Sequence, residues 1–156
     1  MKEEIFKTNS YYEGLIQTLY GGGKGCFSAF MHFFYQYNQS VIFATDNSEC
    51  FKELYTRELE NCQILSQLLL KMGGDNKYYS SSRKFLSGNN VDYIKNFQKI
   101  FLFDIELLEI GVLETKSLLT KIENLAIKNQ LKRVLENKKQ CLKMLKETYF
   151  KNNLIE

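Results

Sequence analysis

The chain has no proline and no tryptophan, a single histidine, and four cysteines with no CxxC pairing. Each lack excludes something. Without proline nothing forces a break in a helix, so the long periodic segments read as mostly helical. A lone His32 without ligand spacing is expected to be a packed or surface residue rather than a metal ligand. Cys26, Cys50, Cys62 and Cys141 do not form a disulfide framework of the secreted kind, and most are expected to be reduced, small core residues. No apolar run approaches the roughly 18 residues that a membrane span needs. Met1-Lys2-Glu3-Glu4 lacks the basic-then-apolar pattern of a secretory signal, so a cytoplasmic protein is expected.

What is present is ordinary in bulk. At 156 residues one domain is expected over 1–156, long enough for a real core. A hydrophobic fraction of 44% with 25% charged residues fits a globular chain. The net charge of +3 is too small for a nucleic-acid patch. The basic residues Lys128, Lys132, Arg133, Lys138, Lys139, Lys143 and Lys146 crowd one late helix, and a solvated face is expected there.

The pattern is a short amphipathic helix over 9–20, a first long helix A over 26–40, helix B to about Met72, a long polar connection over 75–90, helix C to roughly Ile122 and helix D to about Phe150. Asp46 or Ser48 is expected to cap B, Asn90 or Asp92 to start C, and Asn124 to cap D. The run Gly21-Gly22-Gly23-Lys24-Gly25 is not a phosphate loop. Thr18 stands where the leading glycine belongs, and Gly25 follows the lysine in place of Ser or Thr. The glycines instead allow a sharp turn between two helices. Phe27, Phe30, Phe33, Phe34, Tyr35 and Tyr37 surround helix A, which points to a homo-oligomer packed through that helix.

Three charges lie in apolar stripes of helical spacing: Glu58 in Leu54-Glu58-Asn61-Leu65, Glu109 in Ile105-Glu109-Val112, and Lys138 in Val134-Lys138-Cys141-Leu145. A lone buried charge is costly, so these groups must pair, bind a metal or shift their pKa.

The stretch Glu58-Leu59-Glu60-Asn61-Cys62-Gln63-Ile64-Leu65 through Lys71-Met72-Gly73-Gly74-Asp75 resembles helix B of ferritin-like proteins. It is most similar to the manganese-catalase and spore-coat, rubrerythrin-related branch. Tyr20 to Gln36 is similar to that branch's helix A, Asp104-Ile105 through Val112-Leu113 to helix C, and Asn124 through Val134 to the start of helix D. The resemblance implies an all-α, ferritin-like four-helix bundle, here with a short extra N-terminal helix and a long B–C connection. It also implies a di-iron or di-manganese centre in which helices A and C each give a Glu, and helices B and D each give Glu-x-x-His. Of the six former metal-site positions, Cys26, Glu58, Asn61, Glu109, Lys138 and Cys141, only Glu58 and Glu109 keep a ligand of the family.

Three functions follow as expectations. The leading one is a non-catalytic protein of structural or assembly role, without cofactor, in which Glu58, Lys138 and Glu109 form a buried cluster in place of the metals, helped by Asn61. A spore-coat role is one version of it. The alternative is a catalase-like or oxidase-like redox metalloprotein holding Fe, Mn or Zn on Cys26, Glu58, Glu109 and Cys141; a Cys26–Cys141 disulfide or redox pair is a separate possibility. A DNA-protecting relative rests only on the Lys-rich last helix.

Overall fold

A computed structural model describes residues 10–43 and 46–153. Five helices follow in order: α1 (Ser10–Gly21), α2 (Cys26–Ile42), α3 (Ser48–Lys71), α4 (Phe97–Lys121) and α5 (Leu125–Asn153). Among the described residues there is no strand, only an isolated bridge between Tyr79 and Phe85. The four long helices form the bundle, and α1 lies across one end of it. The backbones pack closest for α2 on α3, α4 on α5 and α3 on α5.

Directions can be read from the side chains. The ring of Phe51 near the start of α3 lies 5.6 Å from that of Phe101 near the start of α4, so α3 and α4 run parallel. Phe101 meets Tyr149 near the end of α5, so α4 and α5 are antiparallel. A parallel pair needs a crossover. The 24-residue α3 is about 36 Å long, and residues 72–96 return over that length. Gly73 opens the return with φ 78°, a left-handed conformation that glycine adopts without strain.

The crossover is tied down along its path. Gln17 Nε2 donates to the carbonyls of Lys77 and Tyr79, at 3.0 and 2.8 Å, and the Tyr20 hydroxyl donates to the Asn76 carbonyl. Gly21 has no side chain because the Tyr79 backbone occupies the place of a Cβ. Further on, the Asp92 N–H donates to His32 Nε2 at 2.9 Å. Of the packed and surface places expected for His32 it takes the packed one, with Nδ1 donating to the Ser28 carbonyl at 2.7 Å.

Two helix starts differ from the sequence reading. The N-cap of α3 is Asn47, without a side-chain hydrogen bond, and neither Asp46 nor Ser48 has that place. Helix α4 starts at Phe97, capped by the Asn96 side chain, several residues after Asn90 and Asp92. Residues 88–90 instead make one 3₁₀ turn closed by Ser87 and Asn90, and the Asp92 N–H is held on His32 outside any helix. Asn124 caps α5 as expected, its Oδ1 accepting from the Ile127 N–H at 3.0 Å.

The core divides into two apolar clusters. One gathers Ile16, Leu19, Leu65, Leu68, Leu118, Ile127 and Leu131 at the α1 end. The other gathers Phe33, Phe51, Leu54, Ile100, Phe101, Leu108 and Leu145 at the opposite end. Along α3 the change from one to the other falls between Leu54 and Cys62, and along α5 between Val134 and Cys141. Glu58, Asn61 and Lys138 occupy that gap.

Candidate functional site: a buried lysine–glutamate pair at mid-bundle

Glu58 and Asn61 are one turn apart on α3 and fully buried, and Lys138 reaches them from α5 with 2% exposure. Lys138 Nζ donates to both oxygens of Glu58, at 3.0 Å to Oε1 and 3.3 Å to Oε2. Asn61 Nδ2 adds a bond of 3.3 Å to Oε2. Behind it, Asn137 Nδ2 donates to Asn61 Oδ1 at 3.0 Å, and Arg57 donates to Asn137 Oδ1 at 3.4 Å. The chain of donors thus runs from a half-exposed cation inward to the carboxylate. Every dipole along it points positive end first at the Glu58 carboxylate.

Room for the lysine comes from α4. A Cβ on Gly111 would lie 3.1–3.3 Å from Nζ, Cδ and Cε of Lys138. The side chain crosses the bundle core in the space this glycine leaves. Burial works against the charge on Lys138, while the Cys26 sulfur and the Glu58 carboxylate favour it, and the net effect holds its pKa above the usual lysine value.

The structure brings five of the six sequence-predicted positions, Cys26, Glu58, Asn61, Lys138 and Cys141, into the buried core. Cys26 at the start of α2 feels both Lys138 and Glu58, and burial pushes its thiol up to about 12. Burial also pushes the Cys141 and Cys62 thiols up. All four cysteines are free thiols, so no Cys26–Cys141 disulfide is formed.

Glu109 is the exception, and the expected Glu58–Lys138–Glu109 cluster is corrected to a pair. Glu109 stands on the outer face of α4 with its side chain 48% exposed, bound to Lys146 at 2.9 Å. The reason is helical phase. The buried stripe of α4 is Ile100-Asp104-Leu108-Gly111-Thr115-Leu118, whose register places Glu109 outside. The same shift removes the Cys26/Glu58/Glu109/Cys141 ligand tetrad. Among the described residues no group of three or more His, Cys, Asp or Glu side chains is placed to hold a metal ion.

A buried carboxyl that the stripe reading passed over, Asp104, lies elsewhere on α4. It is fully buried and accepts from Gln36 Nε2 of α2 at 2.9 Å. Its signal in the sequence was a polar residue four positions before Leu108 and seven before Gly111.

No protein-family model matches the chain, and no curated protein matches its sequence. Solved structures do match. Two crystal structures of KatB, a manganese catalase from Anabaena, one of the wild type and one from strain PCC7120, superpose with a TM-score of 0.82 each. Each alignment covers 98% of this chain and 77% of the KatB chain at 13% identity. The chain has the ferritin-like fold of the manganese catalases.

The likeness is one of fold, and the residues at mid-bundle do not fit the metal that the fold implies. A pair of divalent cations needs several carboxylates to offset its charge and lone pairs to bind it. Here an ammonium with three protons and no lone pair takes both oxygens of Glu58. It satisfies the carboxylate electrostatically and fills the space against Gly111. The imidazole of His32 is engaged elsewhere by Ser28 and Asp92.

Proposed function

We propose that this chain is a non-catalytic protein of the manganese-catalase fold, in which the Lys138–Glu58 pair stands in for a metal centre and the bundle serves a structural or assembly role. The observation that carries this reading is the 3.0 Å contact between two side chains that are 3% and 0% exposed. A cation fixed there repels a metal ion and occupies the carboxylate that would bind one.

The assembly in this reading is a homo-oligomer formed through α2. Supporting it is an aromatic strip in which Phe27 stacks on Tyr78 at 4.6 Å and Phe30 on Phe34 at 5.8 Å, with Phe34 47% exposed and Tyr55 of α3 packed beside it. Analytical ultracentrifugation should show a dimer or larger species, and a monomer at micromolar concentration would count against this part.

The main test is elemental analysis by mass spectrometry on protein purified without chelator. The expected result is manganese, iron and zinc well below one per chain. A stoichiometric transition metal would favour a redox metalloprotein and overturn the reading.

A further inference from the structure

Away from the Lys138–Glu58 pair, three buried side-chain atoms among the described residues have no hydrogen-bond partner: Asp104 Oδ2, Gln36 Oε1 and Ser28 Oγ. Two of them belong to one contact. Gln36 Nε2 donates to Asp104 Oδ1 at 2.9 Å, leaving the other oxygen of each side chain bare. Two bare buried oxygens on hydrogen-bonded partners are costly, and a single proton on the carboxyl would serve both. The acid would then donate to the amide oxygen while accepting from the amide nitrogen, a cyclic two-bond pair.

Among the described residues no ion pair reaches Asp104, and on α5, packed against α4, Lys138 is bound to Glu58 and Lys146 to Glu109. Among the described groups, α2 offers the uncharged Gln36, and its His32 is engaged with Ser28 and Asp92. From α3 the Cys50 thiol lies within electrostatic reach and is hydrogen-bonded to Thr148 of α5. Neither element presents a cation to Asp104, and burial raises its pKa well above the usual carboxylate value, against a weaker lowering by Gln36.

The location gives the proton a mechanical role. The helices α2 and α4 are not among the closest-packed neighbours of the bundle. The Gln36–Asp104 bond crosses between them, as does the stacking of His32 on Phe103 at 5.3 Å. We propose that Asp104 is a neutral acid locked to Gln36, a pH-sensitive latch on the α2–α4 seam that opens when base removes its proton. The proton goes to solvent and leaves a carboxylate facing the Gln36 carbonyl oxygen, so the pair repels and the seam loosens.

The sign follows from linkage. A carboxyl whose folded-state pKa is raised contributes full stability below its unfolded value, about 4, and loses it as pH rises. Urea unfolding of wild type and Asp104→Asn across pH 4 to 9 reads this. Asparagine reproduces both bonds of the neutral acid and cannot ionise. The unfolding constant of wild type relative to the variant should rise about tenfold per pH unit above pH 4, until the folded carboxyl itself ionises. A ratio independent of pH would overturn the proposal.

If Asp104→Asn does not fold, carbon-13 NMR of the Asp104 carboxyl in wild type decides instead. A signal still protonated at neutral pH supports the latch, and a midpoint near 4 overturns it. Hydrogen exchange, corrected for intrinsic rates, should show α2 and the first half of α4 losing protection first with rising pH. Earlier loss at the α3–α5 contact would refute the seam.

Discussion

Replacing Lys138 with methionine removes one charge from a pair that water does not reach. Methionine keeps much of the apolar stem, so the loss is chiefly electrostatic. Glu58 would lose its cation and keep the bond from Asn61 at 3.3 Å, in a site with no exposure. Breaking a buried pair from one side costs about 3–5 kcal/mol. For a chain of this size each kcal/mol corresponds to about 2–4 °C in Tm, so melting should fall by roughly 6–20 °C. Lys139→Met, one residue on and exposed, should stay within about 0.5 kcal/mol of wild type. Adding Glu58→Gln to Lys138→Met should restore most of the loss, because the glutamine oxygen still accepts from Asn61 and no charge is stranded. The pH profile has a defined sign. Lys138 has its folded-state pKa raised, so its contribution is fully present below the unfolded value of about 10.4 and lost only as pH rises through the higher folded value. The gap to Lys138→Met should therefore persist at neutral pH and narrow only in strong base, as Lys138 loses its proton. Differential scanning calorimetry checks all of this. Equal melting temperatures for the Lys138 and Lys139 variants, or a double variant as unstable as the single one, would refute the reasoning.

Two further substitutions separate the pair from its surroundings. Glu109→Gln should change stability by no more than about 0.5 kcal/mol in urea unfolding, because it removes only an exposed ion pair with Lys146; a loss of several kcal/mol would return Glu109 to the core. Gly111→Ala should destabilise despite the roughly 1 kcal/mol gain in helix propensity, because the new methyl meets Lys138 at 3.1–3.3 Å and overpacking costs about 1–3 kcal/mol. In a Lys138→Ala background the same change should become stabilising, and an unchanged sign would show that Gly111 does not make room for the lysine.

The helices were legible because a proline-free chain with apolar residues three and four apart has few other ways to bury them. The stripes on α3 and α5 are narrow and bounded by polar residues, so their spacing alone puts Glu58 and Lys138 on the buried face. On α4 the apolar residues run around most of the helix. Leu102 and Leu113 are more than half exposed, so a stripe drawn through Ile105, Glu109 and Val112 looked as good as the real one. The true stripe contains Asp104 and Gly111, which a search for greasy positions skips. One is a carboxyl whose pKa burial raises well above the usual carboxylate value, and the other is a gap filled by a side chain from another helix. Neither property is local to α4. The start of α4 was misplaced for a similar reason: Asp92 resembles a helix cap in the sequence, but His32, sixty residues earlier, takes its N–H.

In the proposed function an ammonium occupies the place where the fold would otherwise hold metal. Anomalous diffraction at the manganese edge, from crystals grown with excess Mn(II), tests this directly. The predicted result is no anomalous peak at mid-bundle and Lys138 Nζ within about 3 Å of Glu58, the hydrogen-bonded distance of a charge-assisted pair. A peak bound to Glu58, with Lys138 swung aside, would contradict it.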